Sequence, residues 1–225
     1  MSGKKPPGSG RSLSTRVRSA TGRSESSRRW LERQLNDPYV KAAQEQGWRG
    51  RAAFKLIELD DKFGLLKPGS RVVDLGAAPG GWTQVALKRA GERGHVVALD
   101  ILPMDPVPGA VILQGDFQDA DAPVRVEAAL AGPADLVLSD MAPNTTGHGT
   151  TDHLRIMALA ELALEFALRV LSPGGAFVAK VFQGGSEKVF LATLKQHFSA
   201  VRHAKPPASR KDSSELYVVA TGFQR

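Results

Sequence analysis

The 225-residue chain contains no cysteine. Disulfides, thiolate metal sites and a cysteine nucleophile are therefore excluded, and a reducing compartment is favoured. Long apolar runs are missing too: none approaches the roughly 18 residues that span a bilayer, and the first residues lack the apolar stretch of a secretory signal. The expectation is a soluble, cytoplasmic protein without membrane attachment. Acidic residues are scarce at one end, where residues 1–29 hold eight basic side chains against the single acid Glu25.

That imbalance equals the whole net charge of +7. Residues 30–225 are neutral in total but segregated: +2 over residues 30–55, −6 over 56–194 and +4 over 195–225. An acidic middle suits a cationic small ligand, and basic flanks suit a nucleic acid. The first 29 residues are rich in Ser, Gly and Arg and carry almost no large apolar groups, too few to offset the entropy of ordering them. They read as a disordered basic tail ahead of one domain over 30–225. An Arg-rich, acid-poor start also fits an organellar transit peptide, and the composition leaves both open.

From Trp30 the pattern turns helical, first to Leu35, then from Asp37 and Pro38 to near Gly47, then from Arg51 to Phe63. In the third segment Ala53, Phe54, Ile57 and Leu59 read as the apolar face, with Lys55 at its edge. Beyond Pro68 and Gly69, β-branched runs alternate with amphipathic stretches. Strands are expected at 71–75, 95–100, 110–115, 135–140, 175–182, 199–204 and 215–221, with helices at 81–90, 121–131, 152–171 and 186–197. This alternation predicts an α/β fold with a mostly parallel sheet covered on both faces. The polar stretch 206–214 leaves no room for a helix, so the last two strands form a hairpin and one strand runs antiparallel.

Asp74-Leu75-Gly76-Ala77-Ala78-Pro79-Gly80-Gly81-Trp82 lies directly between a strand and a helix. Glycines there let the backbone approach a ligand, and the helix start offers free amide donors. The dinucleotide fingerprint G-x-G-x-x-G is missing, since Ala78 stands at its second glycine. Pro79 removes one amide donor and makes the loop a poorer phosphate cradle, so a nucleoside without phosphates fits better. Asp100 follows Gly76 at about the spacing at which a carboxylate meets a ribose, and Asp116 is placed to meet an adenine amino group. With Asp74 and Asp140, four strand ends each present a carboxylate. Any one of them could simply cap a loop; four on the carboxyl edge of one sheet point to a ligand.

Those motifs, together with Asp100-Ile101-Leu102-Pro103-Met104-Asp105-Pro106, Gln114-Gly115-Asp116-Phe117, Ser139-Asp140-Met141-Ala142-Pro143-Asn144 and Lys180-Val181-Phe182-Gln183-Gly184, resemble the FtsJ/RlmE family of ribosomal RNA 2′-O-methyltransferases. The similarity runs from about Ser27 to Gly222. It implies the class I S-adenosyl-L-methionine-dependent (Rossmann-like) fold of seven strands in the order 3-2-1-4-5-7-6, strand seven antiparallel. It further implies methylation of a uridine ribose in the A-loop of 23S rRNA within the large ribosomal subunit, by a monomer. Relatives acting on tRNA or mRNA, or a non-catalytic ribosome-assembly factor, remain the alternatives.

The resemblance assigns a catalytic set of Lys55, Asp140, Lys180 and Glu215, and cofactor positions Gly80, Trp82, Asp100, Asp116 and Asp140. Lys180 would accept the ribose proton late, after methylation has made the attacking oxygen acidic, with Asp140 and Glu215 holding it in line. Phe177, Val178, Val181 and Phe182 flank Lys180, and a lone charge there is costly to bury unless paired. Ala53 departs from relatives that carry an aromatic residue, a change expected to touch RNA stacking. Trp48, Arg49, Arg51 and Phe54 mix aromatic and basic groups as single-stranded RNA sites do, although the aromatics fit core packing as well. His148 and His153 lack a third ligand and read as solvated loop residues, with no metal expected.

Overall fold

A computed structural model describes residues 35–143, 148–182 and 188–225. The expectations for residues 1–29, for the helical segment from Trp30, and for Asn144, Gln183 and Gly184 lie outside the described residues. The strands are β1 (Arg71–Leu75), β2 (His95–Asp100), β3 (Ala110–Gln114), β4 (Ala134–Ser139), β5 (Leu171–Phe182), β6 (Phe198–Ala204) and β7 (Glu215–Phe223). The described helices are α1 (Pro38–Gln46), α2 (Ala52–Phe63), α3 (Gly81–Ala90), α4 (Ala122–Leu130), α5 (Gly149–Val170) and α6 (Lys188–His197). No described helix is long and apolar enough to cross a membrane.

The strands form one sheet in the order β3-β2-β1-β4-β5-β7-β6. β7 runs antiparallel to β5 and β6, and the other neighbours pair in parallel. The chain turns to opposite sides of β1 for β2 and β4, which opens a crevice at the carboxyl ends of β1 and β4 where open α/β sheets hold ligands. β5 starts four residues before the expected 175, because α5 ends at Val170 and Leu171 already pairs with Ala134. The register then shifts before Leu136 meets Ala176, accommodating Pro173 and the two glycines.

Two cores sandwich the sheet. On one side Val73, Val97, Val137 and Phe177 pack with Val126 and Leu130 of α4, Phe166 and Ala167 of α5 and Phe190 and Leu194 of α6. On the other, Val72, Val96, Leu138 and Val178 pack with Leu56 and Leu59 of α2 and Trp82 and Val85 of α3. Burying one such side chain contributes about 1.5–3 kcal/mol. Because strand side chains alternate, this division fixes the direction of the polar residues. Ala176 and Val178 face the α2–α3 side while Phe177 and Ala179 face away, so Lys180 faces α2 and α3. In β7, Tyr217 and Val219 share that side, and the same parity brings Glu215 with them. The antiparallel register sets Lys180 opposite Tyr217 and Phe182 opposite Glu215.

α2 corrects two expectations. Its buried stripe is Ala53, Leu56 and Leu59, with Phe54 and Ile57 half-buried, and Lys55 is 8% exposed rather than at an edge. Ala53 is fully buried, and a Cβ on Gly81 would sit 3.3 Å from its backbone nitrogen. Its side chain therefore meets α3 and offers nothing to a stacking base. The start of α1 follows local chemistry: Asp37 is the N-cap, accepting from Tyr39 N at 3.0 Å, with Pro38 in the first turn.

Candidate active site

Four elements contribute one connected group of side chains. Asp140 stands one residue past β4, where its backbone N–H donates to Leu75 O at 3.0 Å. Lys180 comes from β5, and its Nζ reaches Asp140 Oδ1 at 3.0 Å and donates to Asp140 O at 2.7 Å. From β7, Tyr217 donates its hydroxyl to Asp140 Oδ1 at 2.7 Å. From α2, Lys55 Nζ contacts Glu215 Oε1 at 2.7 Å and donates to the Tyr217 hydroxyl at 3.2 Å. The four residues of the expected set thus meet, but Glu215 pairs with Lys55 rather than holding Lys180 in line as expected, and Tyr217 joins the two ion pairs.

The charges are settled by that geometry. Burial pushes the Asp140 carboxyl up, but the ammonium groups of Lys180 and then Lys55, with the Tyr217 hydroxyl, pull harder and hold it below its ordinary value. Burial, followed by the negative charges of Asp140 and Glu215, raises the Tyr217 phenol well above its ordinary value. Tyr217 therefore keeps its proton and donates. Lys180 and Lys55 are 9% and 8% exposed, and both are paired, which offsets the cost of burying them.

Beside this group, the loop after β1 closes against the loop after β4. Gly76 has φ +77, and a Cβ there would lie 2.7 Å from the backbone of Met141, so only glycine lets the two loops approach this closely. Gly80 has φ +108, and a Cβ there would meet Arg49 Nη1 at 2.9 Å. Arg49 donates from Nη1 to Pro79 O and Asp105 O at 3.1 and 2.7 Å, and from Nη2 to Pro106 O at 2.6 Å. It clamps the loops after β1 and β2 together, a role its sequence position gave no sign of.

The remaining carboxylates differ from one another. Asp100 accepts from Ala78 N and Leu102 N, each at 2.8 Å, fastening the β1 loop to the end of β2. Asp116 accepts from Gln118 N at 3.0 Å. Both do the capping work that a single carboxylate at a strand end can do. Asp74 is fully buried, with Thr83 Oγ1 donating to Oδ2 at 2.7 Å and Oδ1 lacking any partner. Burial raises its carboxyl to about 7, and the charges of Asp140 and Asp100 add to the rise against the Thr83 hydrogen bond. The Trp82 ring is buried, donating Nε1 to Ala52 O at 2.8 Å and packing 5.6 Å from the Tyr217 ring. What Trp82 presents towards the loop is its amide in the first turn of α3.

Of the aromatic and basic residues near α2, Phe54 packs 5.4 Å from Tyr39, and Lys88 Nζ lies 5.0 Å above the Trp48 ring. Arg51 Nε lies 2.9 Å from Asp37 Oδ2, a charge contact without the alignment of a hydrogen bond. His148 is the N-cap residue of α5 and His153 lies within that helix rather than in a loop.

Comparison with known proteins places the chain in a family. The sequence matches the FtsJ-like methyltransferases over residues 48–223. It is 66% identical, over 226 residues, to the ribosomal RNA large subunit methyltransferase E of Granulibacter bethesdensis, covering 100% of this chain and 97% of that protein. With the protein of the same name from Gluconobacter oxydans it is 65% identical, covering 95% of this chain and 79% of that one. Among solved structures, a Plasmodium falciparum protein assigned as a ribosomal RNA methyltransferase superposes with a TM-score of 0.71 at 30% identity. That match covers 78% of this chain and 98% of the other.

Proposed function

Because the chain belongs to the FtsJ-like methyltransferase family, we propose that it methylates the ribose 2′-hydroxyl of a uridine in large-subunit (23S) ribosomal RNA, in the A-loop, with S-adenosylmethionine as donor. The observation that carries the reading is the junction of Lys55, Tyr217, Asp140 and Lys180 beside the glycine-closed loops of β1 and β4. The names of the relatives supply the class of RNA.

The residues fit the donor. S-adenosylmethionine supplies an electrophilic methyl on a sulfonium centre and carries an ammonium group, so it favours a site rich in carboxylates. Asp74 Oδ1, buried without a partner, is the kind of atom such a cation compensates. Gly80 and the Trp82 amide would receive the ligand at the start of α3, Asp100 its ribose, Asp116 its adenine amino group and Asp140 its methionine end.

Positioning carries most of the work, since alignment of reactants alone can contribute roughly 7–11 kcal/mol. Lys180 Nζ is held by both the carboxylate and the carbonyl of Asp140, which leaves it a fixed direction in which to meet the ribose hydroxyl. The Lys180 ammonium must first release a proton; as the amine, it then takes the proton from the 2′-oxygen late, as that oxygen gains the methyl and becomes acidic. Asp140, held below its ordinary value, stays ionised throughout. Lys55, tied to Glu215 and Tyr217, holds the ribose at the other end of the group.

Radiolabelled S-adenosylmethionine offered with large subunits, small subunits, free ribosomal RNA and tRNA tests the reading. Label is expected in 23S rRNA. Label in tRNA alone would overturn the substrate, and label in none would favour an assembly factor.

A further inference from the structure

The loop between β6 and β7 reads in sequence as a polar connection, yet two of its residues are held as tightly as the core. Ala208 is fully buried and Ser209 is 5% exposed. Both backbone groups of Ala208 are bound by side chains of α2 and its N-cap residue Arg51: its N–H donates to Glu58 Oε2 at 2.7 Å, and its carbonyl accepts from Arg51 Nη2 at 2.7 Å. Arg51, Lys55 and Glu58 are spaced by four and three residues, so they lie along one face of the helix. The outer two grip the loop, and the middle one, Lys55, pairs with Glu215.

Ser209 closes this arrangement. Its N–H donates to Pro206 O at 2.8 Å, fixing a turn, and its Oγ donates to Glu215 Oε1 at 2.8 Å. The oxygen that accepts from Ser209 is the one that meets Lys55. A carboxylate at the start of a strand can rotate about its side-chain bonds; a second donor on the same oxygen removes that freedom.

We propose that Ser209 is a positioning residue for methyl transfer: its hydroxyl, delivered by the grip of Arg51 and Glu58 on Ala208, fixes the Glu215 carboxylate so that Lys55 is held where the ribose must be aligned. The proposal rests on the functional reading above. Ser209 touches neither ribose nor methyl donor in this account. Its influence passes from Glu215 to Lys55, then through the Tyr217 hydroxyl to Asp140 and Lys180.

A double-mutant cycle tests it, with kcat, the KM for RNA, cofactor affinity and Tm measured for each protein. Ser209→Ala is expected to lower kcat about tenfold, with KM and cofactor affinity within twofold of wild type. Ser209→Thr, which keeps the hydroxyl, should recover most of that loss. In the Glu215→Ala background, Ser209→Ala should cost nothing further, because its target is gone. Wild-type kcat in Ser209→Ala, or the same fractional loss in both backgrounds, would overturn the role of Ser209 while leaving the functional reading intact. Wild-type turnover in Glu215→Ala, or no RNA methylation by the wild-type protein, would overturn that reading and the Ser209 role with it.

Discussion

The Tyr217 hydroxyl donates to Asp140 Oδ1 at 2.7 Å, and the same oxygen of Tyr217 accepts from Lys55. Two lysine–carboxylate pairs from four separate elements are thereby one unit, and disturbing one end should be felt at the other.

Lys180→Ala should abolish turnover and leave cofactor affinity within about twofold. Asp140→Ala should damage both if Asp140 meets the methionine end of the cofactor as proposed, because it also holds Lys180 through two contacts. Isothermal titration with S-adenosylmethionine, run beside single-turnover methylation, separates these outcomes. Near-normal turnover in Lys180→Ala would remove that residue from the chemistry.

Tyr217→Phe deletes the bridge and keeps the ring that packs on Trp82. A loss of about 3 kcal/mol in stability is expected, since the hydroxyl makes two buried hydrogen bonds, both to charged groups. A fall in kcat of about tenfold should accompany it, since Lys55 and Asp140 lose their common partner. Chemical denaturation and steady-state kinetics on the same preparation check both values. Unchanged kcat would show that the two ion pairs work independently.

Asp74 predicts a pH dependence. Its carboxyl in the folded protein stands at about 7, above the 3.8 of an unperturbed group. Between those values the folded protein holds a proton that the unfolded chain has released. The stability contributed is therefore full below about pH 4 and is lost as pH rises to about 7. Asp74→Asn should accordingly melt higher than wild type at pH 8, with the gap closing towards pH 4. A cationic ligand needs the ionised form, so wild-type cofactor affinity should weaken by up to tenfold per pH unit below about 7. Asp74→Asn should bind the cofactor at least tenfold more weakly at pH 8. Melting curves and titrations across pH 5–8 measure both effects, and a flat affinity profile would detach Asp74 from the ligand.

Removing residues 1–29 takes away the whole net charge of +7. RNA affinity should fall at low salt, and the slope of log affinity against log salt should become shallower. The rate of methyl transfer at saturating RNA should be unchanged. Filter binding between 50 and 300 mM salt provides the test, and an equal loss of affinity and rate would contradict this division of labour.

β1, β2 and β3 were legible because each carries a β-branched run between turn residues, and the reversal of β7 followed from a connection too polar and short for a helix. The start of β5 was hidden because Ser172-Pro173-Gly174-Gly175 carries turn chemistry, while pairing with β4 draws it into the sheet. α2 misled for a different reason. Periodicity cannot show that Lys55 finds its counter-charge 160 residues away in Glu215, and without that pair a lysine belongs at the rim. Lys55, Asp140, Lys180 and Glu215 were singled out by the resemblance, whereas Tyr217 passed as a strand residue. Its signal was present as parity: Glu215 and Tyr217 share a face of β7, and the register sets Tyr217 against Lys180. Ser209 and Arg49 left no such trace: Arg49 binds carbonyls of two loops, and the Ser209 hydroxyl meets the Glu215 carboxylate, only once the chain has folded.

Methylation of a ribose 2′-oxygen by this group is tested most directly by the chemistry of the product. A methyl on the 2′-oxygen blocks the attack by which alkali cleaves the next phosphodiester. Large-subunit RNA labelled by the wild-type protein, then hydrolysed in alkali, should release the label in an alkali-resistant dinucleotide that yields 2′-O-methyluridine on nuclease digestion. Lys180→Ala should release none. Label recovered in mononucleotides carrying a methylated base would contradict the account.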